Sequence, residues 1–189
     1  FFEKIDSVME IGSQEIHVGA SDFRFLLEQA CVPNWQSLKF PGPDGQDGSK
    51  HLGCSAEYFY RLLGVGNYDC IDINGEHGAI SHDLNYPLKE QALTGKYDLV
   101  TDHGSCEHVF NVVQAYRTMH EVCKPGGLIV ISQNIWGGNG YFLFDRSFYE
   151  SLAAANDYTI IHDSSLDDGK VFWDLRTKDN MNIAYGLYI

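Results

Sequence analysis

The chain has 189 residues, is 44 % hydrophobic and 21 % charged, and carries a formal net charge of −13. That length and composition suit one globular domain, here 1–189, with a sizeable buried core. The acidic balance argues against nucleic acid or an anionic membrane surface as partner, because holding phosphates leans on Lys and Arg.

In chain order, Ser7-Val8-Met9-Glu10-Ile11 reads as a short strand and Gly12-Ser13-Gln14 as its exit loop, where glycine lets a backbone approach a ligand closely. Gly-x-Gly-x-x-Gly is not completed, since Gln14 and His17 stand where glycines are needed. That argues against a nicotinamide dinucleotide site. Phe23 to Ala30 predicts a helix, and Pro41 to Gly48 a loop. Ala56 to Leu63 predicts a helix ended by Gly64 and Gly66, and Tyr68 to Asn74 a second strand. Ala79 to Asn85 reads as a third strand with its exit loop, followed by a short helix from Pro87 to Leu93.

Tyr97-Asp98-Leu99-Val100-Thr101 has the apolar, β-branched run of a buried parallel strand. Val109, Val112, Val113, Tyr116, Met119, His120 and Cys123 share one helix face, and Pro125-Gly126-Gly127 stops that helix. Leu128 to Ser132 is a further buried strand, completing a right-handed βαβ unit. Gln133 to Phe142 is a glycine-rich aromatic loop at the carboxyl end of that strand. Ser147 to Asn156 predicts a helix and Tyr158 to Asp163 a strand, with Val171 to Leu175 and Ile183 to Ile189 as closing antiparallel strands.

The stretch from Lys96 to Ser132, KYDLVTDHGSCEHV, a helix and then KPGGLIVIS, resembles the second half of a class I S-adenosylmethionine-dependent methyltransferase. That pattern runs D-L-V, a short loop, E-H-V, a helix, then K-P-G-G and an apolar strand; order and spacing carry the likeness. The resemblance implies an α/β fold, a doubly wound, mostly parallel Rossmann-like sheet of about seven strands with helices on both faces. The chain departs from the family pattern over about 15–52, which reads as an insertion.

By the same resemblance, Glu10, Gly12 and Ser13 border the methionine end of S-adenosyl-L-methionine; the competing reading is an ordinary strand-to-loop turn. Asp72, with Ile73 beside it, takes the two ribose hydroxyls, or else opens a turn before Asn74-Gly75. Asp83 accepts the adenine amino group and the backbone of Leu84 faces a ring nitrogen, while Asp83 also suits the cap of the Pro87 to Leu93 helix. The loop from Asp102 to Cys106 lies under the methionine part. His103, with an ordinary pKa of about 6.5, is a candidate general base, although loop histidines are more often solvated. Asn134, Trp136 and Tyr141 are expected to form the acceptor wall, with Trp35 and Phe40 as candidates from the insertion. Glu107-His108 reads as ordering the loop and the helix start.

Neither Cys106 with His108 nor His51 with Cys54 has metal-like partners at usable spacing, so no metal is expected. The five cysteines, Cys31, Cys54, Cys70, Cys106 and Cys123, contain no CxxC and read as reduced thiols of a cytoplasmic protein. No run is apolar and long enough for a membrane span, and no signal peptide is visible. A start at Phe1 suggests a chain cut from something longer. The function expected is methyl transfer to a small-molecule acceptor. The alternative is a non-catalytic S-adenosylmethionine-binding or partner module of the same fold, and a homo-oligomer is left open. The insertion is expected to approach the ligand edge of the sheet and, with Trp136 and Tyr141, to enclose the acceptor; a subunit contact is the competing role.

Overall fold

The computed structural model describes residues 5–33, 35–37, 55–133, 140–167, 170–174 and 183–185. It is an α/β fold around a mainly parallel sheet. The central strand is β1 (Ser7–Ile11), every residue of which is buried. Helix α1 (Ala20–Gln29) and α2 (Ala56–Leu62) precede β2 (Asn67–Asp72) and the two-residue β3 (Ile80–Ser81). The chain then returns to the other side of β1 as β4 (Tyr97–His103), crosses over through α3 (Val112–Val122), and continues as β5 (Cys123–Ser132). Helix α4 (Arg146–Ala155), β6 (Ile160–Asp167), β7 (Lys170–Asp174) and β8 (Ile183–Tyr185) follow. The strand order is β3-β2-β1-β4-β5-β8-β6-β7. From β3 to β5 every pairing is parallel.

Alternation along the strands builds a core on each face, because successive side chains point to opposite sides. Val8, Tyr68, Cys70 and Leu99 face α2, whose Ala56 and Tyr60 complete that cluster. Met9, Ile11, Ile71, Val100, Ile129 and Ile131 face the opposite way, onto Ala115, Met119 and Val122 of α3 and Tyr149 and Ala153 of α4. Helices therefore cover both faces. Each buried Val, Leu, Ile or Met among them contributes about 1.5–3 kcal/mol by leaving water.

The elements expected from sequence differ in places. Helix α3 ends at Val122, where Cys123 turns extended at φ −72° and ψ 137°, ahead of the Pro-Gly-Gly run rather than at it. Between Pro87 and Leu93 the helical piece is the short 3-10 helix Gln91–Leu93, not a helix over the whole span. Leu88 and Leu93 both pack on the core from this stretch, and their five-residue spacing does not share one helix face. The Asn74-Gly75 pair is not a hairpin, since β2 and β3 run parallel. The terminal strands are not all antiparallel: β7 pairs antiparallel to β6, whereas β8 lies parallel to both β5 and β6. Among the described residues no helix is long and apolar enough to cross a membrane.

The described part of the 15–52 insertion packs on the body. Ala20, Phe23, Leu27 and Val32 form a cluster with Tyr58, Phe59 and Leu62 of the α2 region, and Trp35 packs against it. Phe23 meets Phe59 edge to face at 6.1 Å. Phe40 and the Pro41 to Gly48 loop lie outside the described residues.

Candidate functional site

Because β1 to β4 run parallel, the loops leaving their carboxyl ends emerge on one edge. There they enclose a cleft of about 310 Å3. Gly12 comes from the first loop, Asp72 and Ile73 from the second, His82 to Asn85 from the third, and Gly104, Ser105, His108 and Val109 from the fourth. The third loop is clamped to the start of α3: the Asn111 backbone N–H donates to Asn85 Oδ1 at 2.8 Å and its side-chain amide to the Asn85 carbonyl at 3.0 Å.

Gly12 adopts φ +84°, a conformation that favours glycine, and its N–H donates to the Ile71 carbonyl at 2.8 Å. This aims the first loop across the end of β2. The Ser13 N–H then donates to Asp72 Oδ2 at 2.9 Å, and the Asn74 N–H donates to Asp72 Oδ1 at 3.0 Å. The turn reading of Asp72 is thus realised, and the same carboxylate still faces the cleft with acceptor capacity on both oxygens. Asp83 does not cap a helix. Its Oδ1 accepts from the Asn85 backbone at 2.9 Å and side-chain amide at 2.7 Å, and these bonds hold its carboxyl below the ordinary range. Ile73 and Leu84 add apolar wall, Ile73 being 67 % exposed.

Three other residues singled out in the sequence are not among those that line the cleft. Glu10 is fully buried under the sheet, where Tyr68 donates to Oε2 at 2.6 Å and the Gln14 N–H at 3.4 Å. Its Oε1 has no hydrogen-bond partner. Burial pushes its carboxyl up to about 7 against the lowering from those bonds. Asp102 lies inside β4 rather than in a loop, and is also fully buried. Its Oδ1 accepts from the Ser105 and Cys106 N–H groups at 2.9 and 3.2 Å, and its Oδ2 from Gln133 Nε2 at 2.6 Å. Burial raises it to about 6. Its visible work is to shape the turn that presents Ser105. His103 ends β4, is not among the lining residues, and is lowered by burial.

Of the expected acceptor wall, Asn134 and Trp136 lie outside the described residues. Tyr141 is 70 % exposed and meets Phe110 edge to face at 6.0 Å. Its N–H donates to the Glu107 carbonyl at 2.7 Å, which fastens it to the turn after β4.

Sequence reasoning passed over the cleft roles of His82, Asn85, His108 and Val109, whereas Ser105 belongs to the loop it placed at the ligand. The signal available was their position just past the predicted strands. Among the described residues no group of His, Cys, Asp and Glu is placed to hold a metal ion. The cleft combines carboxylate acceptors, backbone groups and apolar walls, a set suited to a nucleoside-like ligand with hydroxyls. Comparison with models of known families, with curated proteins and with solved structures found no match.

Proposed function

We propose that this chain is an S-adenosyl-L-methionine-dependent methyltransferase for a small-molecule acceptor, on a doubly wound, Rossmann-like sheet. One observation carries the reading: Gly12, Asp72, Ile73, Asp83 and Leu84, singled out from sequence for this cofactor, line a single cleft. The strand order adds support, reversing between β1 and β4, the point where open α/β sheets bind ligands.

The residues present fit the group. Asp72 has acceptor capacity for two vicinal hydroxyls. Asp83 and the Leu84 backbone suit an adenine edge, with Ile73 and Leu84 as apolar contacts for its ring. At Gly12 the space a Cβ would take is already held by the Ser105 hydroxyl, so glycine lets the first and fourth loops meet at the cleft. When bound, the cofactor supplies a methyl group activated on a sulfonium. The protein's part is to align an acceptor with it and exclude water. Tyr141, expected from the sequence to wall the acceptor, is not among the residues that line the cleft. The free thiols of Cys31, Cys70, Cys106 and Cys123 suit a cytoplasmic setting.

Calorimetry with S-adenosylmethionine and S-adenosylhomocysteine, beside NAD, tests the reading. Binding of both sulfur compounds and not NAD is expected; binding of neither sinks it.

A further inference from the structure

We propose that two copies of this chain join through β7, strand against strand and antiparallel, with Phe172 on the two-fold axis. β7 ends the sheet: among the described residues it is hydrogen-bonded on one side only, to β6. A strand so placed offers its second row of N–H and C=O groups as a template for another strand. Natural edges are blunted by proline, by charges along the strand or by bulges. β7 reads Lys170-Val171-Phe172-Trp173-Asp174, with no proline, an unbroken register on β6 and charged residues only at its two ends. A net charge of −13 opposes indiscriminate self-association, so the attraction that joins two copies has to be local.

Charge complementarity selects both the occupant and the register. Within the chain's own hairpin Lys170 stands opposite Asp167, but Asp174 stands opposite Asp163, a like charge. Like charges directly opposite destabilise a pair of strands, and opposite charges stabilise it. Asp163 already has a cation, since Arg146 Nε lies 2.6 Å from its Oδ2. In an antiparallel pair of β7 strands centred on Phe172, every residue of the strand is paired. Lys170 of each copy then takes the register position opposite Asp174 of the other, so each Asp174 gains a positive neighbour. Val171 comes opposite Trp173, a β-branched residue against an aromatic one, and Phe172 comes opposite itself. Such a contact is isologous, as a closed two-fold dimer requires. A parallel pair in register would instead set lysine against lysine and aspartate against aspartate.

Sedimentation equilibrium of the whole chain should reach twice the 21.3 kDa chain mass as concentration rises. Lys170→Asp leaves acids at both ends of β7, and Asp174→Lys leaves lysines at both. Each substitution spoils two pairs across the axis, so each variant alone should self-associate about ten-fold more weakly. Mixed in equal amounts, the two variants should form a heterodimer tighter than either homodimer, because every charged pair across the axis is then opposite in sign. Native mass spectrometry separates the three species. Both substitutions lie at strand ends, and circular dichroism confirms that the fold is kept. A wild type that stays at 21.3 kDa up to its solubility limit, a dimer indifferent to both substitutions, or a mixture without preference for the heterodimer overturns the proposal. None of these results depends on whether the cleft binds S-adenosylmethionine.

Discussion

Gly12 at the end of β1 and Ser105 after β4 share one small volume: a Cβ on Gly12 would overlap the Ser105 hydroxyl. Ser105 Oγ donates to the Ile11 carbonyl at 2.9 Å and accepts from Gln14 Nε2 at 3.1 Å, so it stitches the first and fourth loops together. Gly12→Ala adds both the overlap and a left-handed backbone strain. It should destabilise the fold by about 1–3 kcal/mol. Adding Ser105→Ala should recover part of that loss and not all, because the φ of +84° remains. Urea unfolding of the single and double variants checks this; full recovery would show the backbone angle to be harmless.

Asp72 faces the cleft while bonded to Ser13 and Asn74. Asp72→Ala should weaken S-adenosylmethionine binding by about 1.5–3 kcal/mol, the scale of hydrogen bonds to a charged group. Calorimetry reads the loss, and circular dichroism confirms that the fold is intact. Unchanged affinity would remove the ribose assignment.

Glu10 gives a stability profile with a definite sign. Its carboxyl rises from 4.5 to about 7 on folding, so the fold prefers the protonated form. This group's contribution is whole below pH 4.5, declines as pH rises to about 7, and is flat beyond. The decline should be about 3 kcal/mol. Glu10→Gln cannot ionise, so its stability relative to wild type should increase between pH 4.5 and 7. A constant difference across that window would show that Glu10 ionises freely in the folded protein.

At the opposite edge of the sheet, Asp98 ties three strands. Its Oδ2 accepts from the N–H groups of Asp6 and Ser7 and from Ser7 Oγ, and its Oδ1 from Lys124 Nζ at 2.6 Å. Burial raises its carboxyl, but the bonds from Lys124 and Ser7 win and hold it at about 2. The stability it adds is present above pH 3.8 and lost as pH falls through about 2. Asp98→Ala should cost about 2 kcal/mol at pH 7, a cost that shrinks as pH falls through about 2. Chemical denaturation at the two pH values distinguishes this from simple loss of packing, which would persist in acid.

Local chemistry made some of this legible in advance. The apolar runs of β1, β4 and β5 and the three- and four-residue spacing on α3 announce buried strands and a crossover helix without any partner in view. Pro87 to Leu93 misleads because leucines that reach a core need not lie on a helix. Asp102 reads as a loop residue because an acid after an apolar run suggests exposure, whereas Ser105, Cys106 and Gln133 satisfy it inside β4.

By itself the sequence determined the α/β alternation and put Gly12, Asp72, Ile73, Asp83 and Leu84 at or near the carboxyl ends of strands, because periodicity and glycine chemistry are local properties. The tertiary structure alone decided that these residues share a cleft, while Glu10 and Asp102 are buried and do not line it. It alone brought Ser105 onto Gly12. The reason is physical: which strand ends meet depends on parallel register and strand order, and those are settled by burying two sheet faces at once rather than by any residue's neighbours in the chain.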